Sequence, residues 1–176
     1  MTNYPNVAAD ERRSLEQFLD FHRAGVLQTL DEVSDAEAAA RLLPATELTV
    51  GGIVKHLAAV EDLWFSHKFL DVPSAEPWRS APFDQDPDWE FHSAAANTVA
   101  ELRDLYENAC AASRKIAAQV ESLDERAVRA SFGEQLVSLR WIYLHMLEET
   151  AQHRGHLDLL MDAVRQTRQR GAQVDR

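Results

Sequence analysis

Apolar residues recur along this chain at spacings of three and four, as amphipathic helices require, and strand-like alternation of useful length is absent. Leu15, Phe18, Leu19, Val26, Leu27 and Leu30 carry a first helix expected over about 10–33, with Gly25 as its weak point. Ser34-Asp-Ala-Glu37 has the form of a capping box and starts a short helix that Pro44 is expected to end. Thr49 is an N-cap for a second long helix over 49–70, where Gly51 and Gly52 weaken the first turn and give another backbone room to approach. A third long helix spans roughly 93–123, with Val99, Leu102, Leu105, Tyr106, Ala109, Ile116 and Val120 on its inner side. Ser138 caps the last, over 138–165, and the Arg- and Gln-rich tail from about 166 is expected to fray.

Between the second and third long helices, residues 71 to about 92 hold Pro73, Pro77, Pro82 and Pro87 among six acids and break the pattern. So long a connection inside a compact domain wants a reason. At about 3.3 Å per residue it can run back along a helix of about 30 Å, so the helices it joins can be parallel. Its aromatics, Trp78, Phe83, Trp89 and Phe91, either pack as part of this crossover or cover one mouth of the bundle.

Composition narrows the function classes. The 176 residues make one domain, 1–176, large enough to bury a core without staples. A formal charge of −11 repels phosphate backbones and anionic lipid surfaces, so nucleic acid and membrane are poor partners. Without a signal-like start or an apolar run that could span a bilayer, a cytoplasmic location is expected. Cys110 is the only cysteine, so any thiol chemistry has to bring its own thiol. No Ser/His/Asp arrangement or phosphate-cradling glycine loop appears.

The chemistry concentrates in the last helix. At about 100° per residue, Ile142, Met146, Glu149, His153, Leu160 and Val164 share one narrow face, which places two ionisable groups on the side to be buried. Glu149 and His153 are one turn apart and can reach a common point. Such a pair is in many proteins only a helix salt bridge, and a lone histidine on an apolar face is in many only a core residue. A buried carboxylate, however, is costly unless compensated, and a divalent cation compensates it. His56 is the best third ligand, because it lies on the apolar stripe of its own helix with Ile53, Val60 and Leu63. Paired-iron bundles use Glu-x-x-His and zincins His-Glu-x-x-His; neither is present, which favours a single ion. His156 and His145 are reserve ligands or supporting groups, while His67 is about 16 Å from His56 by helical rise and cannot share the site. His22 and His92 read as surface or packing residues, Trp64 and Trp141 as core fillers, and Gly155 as a point of close helix approach.

Thr49-Val-Gly-Gly-Ile-Val-Lys-His56-Leu, Asp86-Pro-Asp-Trp89, and Ser138-Leu-Arg-Trp-Ile through Glu148-Glu-Thr-Ala-Gln-His153-Arg-Gly-His156 resemble the DinB-like superfamily of metal-binding four-helix bundles over nearly the whole chain. Within it the chain is most similar to the mycothiol-dependent branch of S-transferases and maleylpyruvate isomerases. The resemblance implies an all-α four-helix bundle with up-down-down-up order, and His56, Glu149 and His153 as metal ligands. Many superfamily members have histidine where this chain has Glu149; the carboxylate form goes with the mycothiol-dependent enzymes. The extra C-terminal domain of the isomerases has no counterpart in this length, which favours the S-transferase comparison.

The expected function is therefore a metal-dependent thiol transferase that conjugates mycothiol, or a related small thiol, to small electrophiles. Zinc is the first choice of metal, with nickel or another first-row ion as a substitute. The alternative is a non-catalytic metal-binding stress-response or interaction module of the same fold. Electrophile, catalytic residues, thiol-binding residues and oligomeric state, a homodimer included, stay open at this stage.

Overall fold

The computed structural model describes residues 4–131 and 133–174. Helix α1 spans Glu11–Leu30, α2 Asp35–Ala39, α3 Val50–Glu61 with a π-helical continuation over Asp62–Phe69, α4 Trp89–Ser93, α5 Val99–Ala117 and α6 Leu139–Val174. The link before α6 holds an isolated antiparallel bridge, Arg126 to Ser138. The protein is all-α, as its periodicity requires.

The caps act as the residue types predict. Thr49 accepts from the Gly52 amide at 2.9 Å and Ser34 and Glu37 close their capping box. A second box, Thr98 with Glu101, starts α5 at Val99 rather than near 93 and separates it from the short α4. That helix stops at Ala117, short of the expected 123, because the chain turns there to pack Leu123 and Ala127 beneath α6. Helix α2 ends at Ala39, before Pro44, as Ala40 turns extended. The tail expected to fray from about 166 instead continues α6 through Val174, with Arg165 and Arg168 paired to Glu32 and Glu37 at 3.0 and 2.7 Å.

Side-chain pairings set the directions of the four long helices. Arg140 meets Glu11 and Arg165 meets Glu32, so α1 and α6 run parallel. Gly51 lies beside Leu102 and Ser113 Oγ donates to the Glu61 carbonyl, so α3 and α5 are parallel too. Arg114 meets Asp20 and Arg103 meets Asp31, which makes α1 antiparallel to α5, and the His56–Glu149 and Phe65–Tyr143 contacts make α3 antiparallel to α6. The order is up, down, down, up, and the long crossover is what the parallel α3 and α5 require. Trp78 anchors that crossover in the core.

The core is two apolar clusters. One gathers Val54, Leu57, Leu102, Leu157 and Leu160; the other gathers Phe65, Phe69, Leu139, Ile142 and Met146. One buried ion pair ties α1 to α3. Arg23 of α1, 3 % exposed, forks onto the Glu61 carboxylate of α3, 0 % exposed, at 2.7 and 2.6 Å. Two short charge-assisted bonds compensate the loss of water around both ions. Glu61→Ala, which leaves the buried guanidinium only the partly exposed Asp20 as a charged partner, is expected to lower unfolding free energy by about 3 kcal/mol in chemical denaturation. The double substitution Arg23→Met with Glu61→Leu should recover most of that loss; a double mutant as unstable as the single one would contradict this account.

Candidate metal centre

Helices α3 and α6 bring His56, Glu149 and His153 together. One donor atom from each lies within 4.8 Å of the others. Glu149 Oε1 is 3.0 Å from His56 Nε2 and 3.2 Å from His153 Nε2. Donors about 2.0–2.2 Å from one tetrahedral ion sit roughly 3.3–3.6 Å apart, so modest rotamer adjustment fits the three to a single cation. The side chains are 13–20 % exposed, so the centre is sheltered yet reachable from solvent. Burial of this face, expected from its apolar neighbours, is present, with Ile142, Met146, Leu160 and Val164 all nearly inaccessible.

The remaining histidines separate as follows. His156 Nδ1 is 3.5 Å from His153 Nδ1, which places it behind the donor set rather than in it. His145 packs between Trp141 and Trp64, with ring centroids 5.0 and 4.7 Å away, and takes no part in the centre. His67 turns to the Val72 carbonyl at 3.3 Å, beyond the π-helical turn, and His92 to Asp86 at 2.9 Å. His22 is half-buried beside Phe21. Gly155 is not a contact point: a Cβ there would meet nothing within 4 Å.

The sequence reading missed Glu90. This residue of α4 is 7 % exposed, and its Oε1 is 2.9 Å from His56 Nδ1; its Oε2 is buried without a hydrogen-bond partner among the described residues. The Phe91 ring stacks on the same imidazole at 4.6 Å. Helix α4 can come this close because Gly52 has no side chain: a Cβ there would meet Phe91 Cδ1 at 3.2 Å and the Phe91 carbonyl at 3.4 Å. Lys55 completes the docking, with Nζ 2.9 Å from both Ser93 Oγ and Asn97 Oδ1 and over the Trp89 ring. The signal in the sequence was slight: an acid flanked by two aromatics at the end of the crossover.

His56 thus faces a carboxylate at each ring nitrogen. Ionised carboxylates only accept, so both nitrogens carry protons. Burial opposes that charge, but Glu149 and Glu90 outweigh it and hold the imidazole up to about 9. Glu149 in turn is held well below the usual carboxylate range by His153 and then His56. A cation at the centre would replace the proton on Nε2 and leave Nδ1–H on Glu90, the arrangement in which an outer carboxylate orients a ligating histidine.

The pH dependence of the metal-free protein follows. A raised histidine pKa gives stability that is complete below about 6.5, the unfolded value, and is lost as pH rises through about 9. Glu149 acts oppositely: its contribution is present above the ordinary carboxylate pKa and disappears in acid. Glu90→Gln should bring the His56 pKa down and flatten the alkaline loss of stability, measured by NMR titration of the imidazole and melting temperature against pH. An unchanged His56 titration would show that Glu90 does not act on it.

No curated protein matches this chain. Among solved structures, the crystal structure of a mycothiol-dependent maleylpyruvate isomerase is similar, with a TM-score of 0.58 at 16 % identity over 81 % of this chain. This chain spans 60 % of that protein's length, and at such identity the likeness concerns the fold. The mycothiol-S-transferase family profile matches residues 14–166, from the first turn of α1 through most of α6, and includes all three clustered residues. The chain therefore belongs to the mycothiol S-transferase family, within the DinB-like mycothiol branch.

Proposed function

We propose that this protein is a metal-dependent S-transferase that joins mycothiol, or a related low-molecular-weight thiol, to small electrophiles, with His56, Glu149 and His153 as metal ligands. The observation that carries the reading is the convergence of two imidazoles and one carboxylate within 4.8 Å, half-sheltered, in a chain of this family. Three protein ligands with room for another is the catalytic rather than the structural form of a zinc site, and nickel or another first-row ion also suits the donors. A divalent cation held there lowers the pKa of a thiol that reaches it, which makes thiolate available near neutral pH.

The chain's own residues supply the rest. Glu149 brings the negative charge that attracts a cation, and Glu90 and His156 occupy the second nitrogens of His56 and His153 and so aim both Nε2 atoms inward. Phe91 covers one face of His56 and keeps water from it. Cys110 does not compete as nucleophile: it is 2 % exposed, and burial followed by the Glu61 charge pushes its thiol far up. The nucleophile therefore comes from a cosubstrate.

His153→Ala is expected to remove most bound metal, measured by elemental analysis with native mass spectrometry; unchanged metal content would refute the ligand assignment. The metal-loaded protein should accelerate conjugation of mycothiol to electrophiles, and Glu149→Ala and His56→Ala should each abolish the acceleration. No rate above the uncatalysed reaction across a broad panel would instead make the protein a non-catalytic metal-binding module.

A further inference from the structure

Helix α4 is five residues long and lies between the proline-rich crossover and a 3-10 turn over Ala94–Ala96, so its own backbone does little to fix where it sits. Glu90 adds no anchor of its own: its Oε1 meets His56, and its Oε2 has no hydrogen-bond partner among the described residues. The hold comes from Lys55. This residue precedes His56 by one, about 100° around α3, and its ammonium reaches both ends of α4. It lies 4.5 Å from the ring centroid of Trp89, the first residue, and 2.9 Å from Ser93 Oγ, the last. A further bond of 2.9 Å reaches Asn97 Oδ1, past the turn. Ser93 in turn donates to the Trp89 carbonyl at 2.6 Å, which closes α4 on itself between the two grips. Glu90 and Phe91, the residues that touch His56, are the ones bracketed. A methionine would cover the same apolar surface without the cost of burying an ammonium, yet the residue here is a lysine only 4 % exposed, so packing alone does not call for the charge.

We propose that Lys55 is a positioning residue for the metal centre: it clamps α4 by both ends, keeps Glu90 and Phe91 seated on His56, and so sets how tightly His56, Glu149 and His153 hold a cation. The proposal rests on the metal-centre reading above and adds a residue outside the donor set. Its effect has a sign that separates it from two simpler roles. Electrostatics alone makes a fixed ammonium repel an incoming cation, so deleting the charge would strengthen metal binding. A lysine that serves only the fold would, when deleted, lower stability and leave the affinity of the folded protein where it was. A clamp does neither: with α4 released, the Glu90 carboxylate leaves Nδ1, the imidazole turns, and the donors hold a cation less well. Outer carboxylates of this kind contribute about 10–100-fold in metal affinity, which bounds the effect.

Zinc affinity of the full chain, measured by competition with a chromophoric chelator at fixed pH, tests this alongside urea denaturation of the metal-free protein. Lys55→Met should raise the zinc Kd about tenfold, and Glu90→Ala should raise it by a similar or larger factor. The double variant should bind no more weakly than Glu90→Ala alone, since both substitutions break the same contact. Asn97→Ala leaves the ammonium in place and removes one of its acceptors, so it should weaken zinc binding in the same direction. In the metal-free wild type the His56 Nδ1–H proton should appear downfield in NMR spectra as a hydrogen-bonded imidazole signal, and Lys55→Met should broaden it through exchange with water. An unchanged or lower Kd in Lys55→Met, or in Asn97→Ala where Lys55→Met does not fold, overturns the proposal. So do losses that multiply in the double variant, because they place the action of Lys55 elsewhere than on Glu90. A wild type that binds no zinc overturns the metal-centre reading, and the proposal with it.

Discussion

The imidazole of His56 is gripped from two sides, by Glu90 of α4 at Nδ1 and by Glu149 of α6 at Nε2, with Phe91 against its face. Three elements far apart in sequence meet on this one ring. Two carboxylates and a stacked aromatic leave it little rotational freedom, so the direction of Nε2 is set by contacts within the protein. The long crossover acquires its purpose here. It makes α3 and α5 parallel, and its last turn, α4, delivers Glu90 and Phe91 to the side of α3 that α6 does not cover.

That grip depends on smaller concessions elsewhere. Gly52 costs helix propensity in the first turn of α3, on the order of 1 kcal/mol, and in exchange α4 lies against the helix backbone. Lys55, one residue before His56, is 4 % exposed, yet its ammonium reaches Ser93, Asn97 and the Trp89 face, so its burial is compensated at the same interface. One turn further along α3, Glu61 ties the helix to α1 through Arg23. Consecutive turns of a single helix thus bind α4, α6 and α1, and the centre sits where those attachments coincide.

The polar interior divides into a sealed part and an accessible part. Arg23, Glu61, Tyr106 and Cys110 are essentially closed off, and there the thiol and phenol are driven away from ionisation by burial and the neighbouring carboxylate. His56, Glu149 and His153 keep 13–20 % of their side-chain surface and remain available to ligands. Tyr106 and Cys110 belong to the first apolar cluster, so the closed set is continuous with the core.

What the sequence by itself determined is what is local. Helical periodicity, the Thr49 and Ser34 caps, and the one-turn spacing of Glu149 and His153 depend on neighbours within four residues, so they are legible without a fold. His56 was legible because an ionisable group on an apolar stripe demands a partner. The tertiary structure decided which groups met. Glu90 is 34 residues from His56 in the chain and belongs to no helical pattern that marks it, so only the docking of α4 reveals it. His145 shares the helix and the spacing of a ligand but turns between two tryptophans, and the exposed Gly155 meets no neighbouring helix; helix-to-helix rotation, which the chain's own periodicity does not encode, settles both. The end of α6 follows the same logic, since Arg165 and Arg168 look like a solvated tail until Glu32 and Glu37 are brought beside them.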